Sequence, residues 1–148
     1  MSAAATLIDP HTIAEAMGGE TVLKTPVHSM LDLHKVILGG VPKAAVAHLG
    51  RLYADVMPSQ DFAALFTSVS TMKRPGPLPL AAGERVQRVA RLTALAERAF
   101  GDQDKGVAWL TTAHPMLGRA TPLELASTEI GARQVERLLT NILYDLPA

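Results

Sequence analysis

An all-α fold is what this sequence predicts, on three observations. Apolar residues recur at the three- and four-residue spacing of helices, as in Ala45, Val46, Leu49, Leu52, Tyr53 and Val56, and no stretch alternates with the strand period of two. Helix-start signals stand at Asp9-Pro10, Gly101-Asp102 and Thr121-Pro122. The chain is 48% hydrophobic but only 4% aromatic, so its core must come from Leu, Val, Ala, Ile and Met, which favours helix over sheet. A length of 148 residues suits one compact domain, or two small helical subdomains sharing a core.

Residues 1–8 are small and weakly patterned and are expected to be loose. Asp9 then caps a short helix with Pro10 at its first position, and Ile13, Ala14 and Met17 follow at helical spacing before Gly18-Gly19. Thr21 to Met30, which contains Pro26, reads as an extended connector. Leu31, Leu33, Val36, Ile37 and Leu38 suggest a short buried helix ended by Gly39-Gly40. Val41-Pro42 restarts the chain into the helix of Ala45 to Val56, which must stop before Pro58. Ser59 is the expected cap of a helix carrying Phe62, Ala63, Leu65 and Phe66. Thr67 to Arg74 follows at once, so the pair reads as helix-turn-helix. Pro75-Gly76-Pro77 and Pro79 must cut its second helix short, and they mark the candidate subdomain boundary.

Leu80 to Phe100 is the longest helical pattern. Val86, Val89, Leu92 and Ala96 form one stripe that Phe100 extends, while Glu84, Arg85, Arg88, Arg91, Glu97 and Arg98 are assigned to the solvated side. Glutamates among the arginines favour a soluble face over a nucleic-acid surface. Gly101 breaks this helix and Asp102 caps the next, where Gly106 lets a neighbour approach beside Val107, Trp109 and Leu110. A lone tryptophan on an amphipathic helix reads as core, with an interface hot spot as the alternative. His114 to Gly118 must turn, and Thr121, Pro122 and Glu124 make a capping-box start with Leu123 and Leu125 inward. Ser127 or Thr128 begins the last helix, Glu129 suits its dipole, and Ile130, Val135, Leu138, Leu139 and Ile142 are its expected buried stripe.

Fourteen basic and fourteen acidic residues balance overall, with six of each before residue 80 and eight of each after it. A dedicated nucleic-acid binder usually carries a net basic footprint, so any DNA binding must come from a local patch or a dimer. The absence of cysteine excludes disulfides, thiolate nucleophiles and cysteine zinc sites. No apolar run approaches the ~18 residues that cross a bilayer. The first residues lack a positive region before their apolar ones, so no secretory signal is read there. A cytoplasmic location without membrane association is expected.

No catalytic constellation emerges. His11, His28, His34, His48 and His114 include no pair at the zinc-protease spacing, and each reads as an ordinary polar or partly buried histidine. Gly39-Gly40-Val41-Pro42-Lys43 lacks the second glycine and the Lys-Ser/Thr ending of a phosphate loop. There is no Gly-x-Ser-x-Gly elbow. Asp102 and Asp104 read as acids drawn to a helix N-terminus rather than as a catalytic pair. Neither an enzyme, nor a cofactor, nor a metal site is expected.

Phe100-Gly101-Asp102, Lys105, Trp109-Leu110, Pro115, Leu117-Gly118-Arg119, Thr121-Pro122-Leu123-Glu124-Leu125, Thr128-Glu129, Gly131-Ala132-Arg133 and Val135-Glu136 carry a resemblance. Their spacing resembles the toxin-binding domain of Xre/MbcA/ParS-type antitoxins. The likeness covers residues 80–143 and thins over 31–79. It departs from the family at His114, where asparagine is frequent, and at Leu143 to Ala148, which lack the usual glutamate and glycine.

The resemblance implies an N-terminal extension at 1–30, an Xre-like helix-turn-helix or dimerisation region at 31–78, and a helical toxin-binding domain at 79–148. It further implies an antitoxin that blocks the active-site cleft of a RES-domain toxin, an NAD-consuming enzyme or ADP-ribosyltransferase. Homodimers, hetero-oligomers with the toxin and repression of the operon through promoter DNA belong to the same implication. Mapped onto this chain, toxin contacts fall on Met116, Leu117, Gly118 and Arg119 and on Tyr144, Leu146, Pro147 and Ala148; the simpler view is that Leu117 and Gly118 only close a turn. DNA contacts fall on Ser68, Ser70, Thr71, Lys73 and Arg74, which suit phosphates better than base edges. The competing function is a DNA-binding repressor whose C-terminal half serves only for dimerisation.

Overall fold

A computed structural model describes residues 8–145; residues 1–7, expected to be loose, and Leu146, Pro147 and Ala148 of the tail lie outside it. The described residues form ten α-helices and one 3-10 turn, with no strand among them. The first six helices are short: α1 (Pro10–Ala16), α2 (Gly19–Leu23), α3 (Met30–Gly39), α4 (Lys43–Arg51), α5 (Ser59–Ala64) and α6 (Val69–Lys73). Then come α7 (Leu80–Phe100), α8 (Gln103–Leu110), the 3-10 turn Pro115–Leu117, α9 (Pro122–Leu125) and α10 (Glu129–Leu143).

Capping chemistry sets most boundaries. The Asp9 carboxylate accepts the Thr12 amide at 2.8 Å, which starts α1 and holds that carboxyl below its usual pKa. Ile13 and Met17 are fully buried, as their spacing requires. The expected connector is shorter than Thr21 to Met30, because α2 occupies Gly19–Leu23. Gly18 adopts a φ of +115°, which restarts the chain within one residue and lets Leu23 reach the core. In α3, Leu33, Val36 and Ile37 are buried but Leu31 and Leu38 face solvent, so the helix is buried on one side only.

Two other expectations need correction in this half. Helix α4 ends at Arg51, and the Tyr53 and Met57 amides continue the chain as hydrogen-bonded turns that bury Tyr53 but expose Val56. The cap position of α5 is Pro58 rather than Ser59, because the restricted φ of Pro58 already supplies the extended entry. Ser68 caps α6 by accepting the Thr71 amide, and the helix runs only five residues before Pro75. The proline segment is tied down: Leu78 is buried and its amide donates to the Val41 carbonyl at 2.8 Å.

Helix α7 is the pivot of the molecule. It packs against α1, α3, α4, α8 and α10, and one continuous set of buried side chains runs from Ile8 to Leu139 around it. Tyr53 and Thr93 form a buried hydroxyl pair at 2.7 Å that joins the end of α4 to α7. Thr93 donates its proton to the Val89 carbonyl, so Tyr53 must be the donor to Thr93. Tyr53 also stacks on Phe62, which in turn meets Phe66 edge-on. Burial raises the Tyr53 pKa above its ordinary value.

Of the side assigned to solvent on α7, Glu97 and Arg98 are exposed, but Arg85, Arg88 and Arg91 are half-buried. Arg85 donates to the Phe66 carbonyl, Arg88 donates to the carbonyls of Ala126 and Ser127, and Arg91 pairs with Glu136 at 2.5 Å and Glu129 at 3.6 Å. Their stems lie along the helix and their guanidiniums clamp neighbouring elements. Behind α7, Gly106 allows α8 to approach closely: a Cβ there would lie 2.9 Å from the backbone of Ala96 and Glu97.

Candidate functional site

The partner-facing candidates sit on the C-terminal elements, and local hydrogen bonds explain their geometry. The His114 carbonyl accepts the amides of Leu117 at 2.9 Å and Arg119 at 3.0 Å, and the His114 amide donates to the Ala120 carbonyl. That closes residues 114–120 into a tight loop, with Gly118 and Arg119 both at positive φ (+65° and +68°). The His114 Nε2 stands 3.0 Å from the Trp109 carbonyl, a contact that only an Nε2–H can make favourable. The imidazole also lies 4.9 Å from the Trp109 ring, and Phe100 lies 5.9 Å away on another side. Trp109 is therefore half-buried against the core, a support beneath the loop rather than a fully enclosed core residue.

Of the sequence-predicted loop residues, Met116 is 64% exposed, Gly118 and Arg119 are exposed, and Leu117 is half-buried. The Arg119 side chain makes no hydrogen bond or ion pair among the described residues. Tyr144, at the end of α10, is exposed, and its hydroxyl makes no hydrogen bond among the described residues. No hydrogen bond or ring contact joins Tyr144 to the loop among the described residues, so the two parts of the predicted site are separate features.

Helix α10 supplies what the sequence reading missed. Val135 and Leu139 are buried as expected, but Ile130 is 76% exposed, Ile142 is exposed and Leu138 is half-exposed. Ile130, Gln134, Leu138 and Ile142 follow at four-residue intervals, so they make one outward ridge. The helix is turned this way because its small residues face inward. Gly131 and Ala132 are buried, and a Cβ on Gly131 would lie 2.0 Å from the Leu125 carbonyl oxygen. Glycine and alanine look neutral in a hydrophobic stripe, so the larger apolar residues drew the inferred stripe the wrong way. Capping holds the pair in place: Thr121 accepts the Glu124 amide and Thr128 the Gly131 amide.

The other predicted cluster lies on α6. The hydroxyls of Ser68, Ser70 and Thr71 are engaged with one another around the cap, while Lys73 and Arg74 are exposed. The Lys43 ammonium donates to the Arg74 carbonyl and so ties the start of α4 to the end of α6. Among the described residues no three His, Asp or Glu side chains group as metal ligands, and no helix is long and apolar enough to cross a membrane.

Comparison with known proteins bears on the C-terminal elements. Residues 95–144 match the family described as the antitoxin Xre/MbcA/ParS C-terminal toxin-binding domain. The chain is also similar to an Antitoxin Xre of Pseudomonas putida, at 35% identity over 78 residues. That alignment takes in 53% of this chain and 49% of the relative, so the chain spans about half the length of the curated protein it matches.

Proposed function

We infer, from the Xre/MbcA/ParS toxin-binding domain that this chain carries at residues 95–144, that the protein is an antitoxin acting by direct occlusion of a toxin. The observation that carries the inference is the outward ridge of α10, which lies inside the matched region as the tight 114–120 loop does. Ile130 and Ile142 are exposed on one side of the last helix with half-buried Leu138 between them, an apolar surface with no partner inside the fold. Ile130, Leu138 and Ile142 supply the apolar centre of the interface, Met116 and Tyr144 extend it, and Arg119 offers an unpaired guanidinium to a carboxylate or phosphate.

The partner we propose is a RES-domain toxin that uses NAD, with the antitoxin covering the mouth of its active-site cleft. The residue-level resemblance supports that choice of toxin. Occlusion asks for no chemistry from the antitoxin, in keeping with the lack of a catalytic grouping in its sequence. A stable complex of this kind buries roughly 1,600 Å² in total, more than the ridge alone offers, so the loop and the end of α10 are expected to join it. Co-expression with the toxin tests the reading. The double variant Ile130→Asp and Ile142→Asp should fail to rescue growth while melting like the parent protein. Full rescue by that variant removes α10 from the interface.

A second activity, repression of the operon, has one observation in its favour: Lys73 and Arg74 are exposed at the end of α6, and the Lys43 ammonium bonds the Arg74 carbonyl. Replacing Lys73 and Arg74 by alanine should abolish a salt-dependent mobility shift on upstream DNA. A shift that persists unchanged assigns DNA binding elsewhere.

A further inference from the structure

Between α4, α5 and α6 runs a groove of about 760 Å³ that lies outside the toxin-binding elements. Its floor is apolar: Val46, Gly50, Met57, Phe62, Ala63 and Met72. Ala47 on α4 and Ala54 in the turns that follow it are exposed on its wall, and both are small enough to admit another backbone. The groove is partly open to solvent, so an occupant need not be fully enclosed. The helical part of the lining, Val46 to Arg51, runs about 8 Å along α4, roughly one and a half turns.

Charge selects among occupants. The charged residues lining the groove are Arg51 and Lys73, both exposed, and neither makes an ion pair among the described residues. Asp55 and Asp61 neighbour the lining in sequence but do not line it. An apolar floor of small residues and methionines, with two unpaired cations at the rim, is complementary to an amphipathic helix with acidic flanks. We propose that this groove docks a short acidic amphipathic helix of a partner protein. The helix lays its apolar face over Gly50 and Met57 and its carboxylates against Arg51 and Lys73. The site is independent of the toxin interface: it uses neither the Pro115–Arg119 loop nor α10.

The test is a titration of the full chain with two labelled 12-residue helical peptides. They share one apolar face and carry either glutamates or lysines on the flanks. The glutamate peptide is expected to bind at least about tenfold more tightly, with the difference shrinking in salt. Arg51→Glu with Lys73→Glu should reverse that preference. Ala54→Phe fills the groove from an exposed position and should abolish binding without lowering the melting temperature. Equal binding of both peptides, or binding that survives Ala54→Phe, overturns the proposal. So does a concentration-dependent dimer that Ala54→Phe dissociates, since the groove would then belong to a second copy. Octanoate competing with the glutamate peptide at equal concentration also overturns it, in favour of a small-ligand site.

Discussion

Gly131 and Tyr53 show how much a single position carries in this fold. A methyl group at Gly131 would overlap the Leu125 carbonyl, which is backbone and cannot rotate away, so α9 and α10 would have to separate. Gly131→Ala is expected to cost about 1–3 kcal/mol in urea unfolding. Gly39 has open space around its Cβ position, and Gly39→Ala should be neutral or slightly stabilising. Tyr53 gives a pH signature. Its pKa is raised in the folded protein above the ordinary 10.0, so the unfolded chain loses this proton first. Its contribution to stability is intact below pH 10 and declines above it, by up to ~1.4 kcal/mol per pH unit. Tyr53→Phe should flatten that part of the stability profile; an unchanged slope would show that another group causes it. Of these two residues the sequence revealed only Tyr53, through its helical spacing. The role of Gly131 depends on a carbonyl of the preceding helix, which periodicity does not encode.

At the scale of elements, the helix starts were legible because capping is local: Asp9, Asp102, Thr121 and Thr128 each bond an amide three residues on. The α7 arginines were not, because the same sequence pattern describes a side chain in water and one folded onto a carbonyl 38 residues away, as Arg88 is. Arg88 and Arg91 fasten the turn after α9 and helix α10 to the pivot. Arg91→Ala should cost about 1–3 kcal/mol, since it strips a partly buried Glu136 of its partner. Arg133→Ala breaks only an exposed 3.9 Å pair with Glu129 and should cost under ~0.5 kcal/mol. Thermal unfolding of the two variants checks the contrast, and equal effects would show that the Arg91 clamp is idle.

For the whole molecule, α7 packs against elements of different chemistry: α10, with its outward ridge, and α4, which walls the cation-rimmed groove. The all-α class followed from composition and period, and the C-terminal loop from the Pro115-to-Gly118 turn signal. The ridge itself was hidden, because Ile130 and Ile142 are residues that burial normally claims. Hydrogen exchange on the full chain, with and without the proposed RES-domain toxin, tests directly which face that partner covers. Protection should rise over residues 114–120 and at the ends of α10 while α4–α6 stay unchanged. Protection confined to α4–α6, with 114–120 and α10 exchanging as in the free protein, would contradict the account.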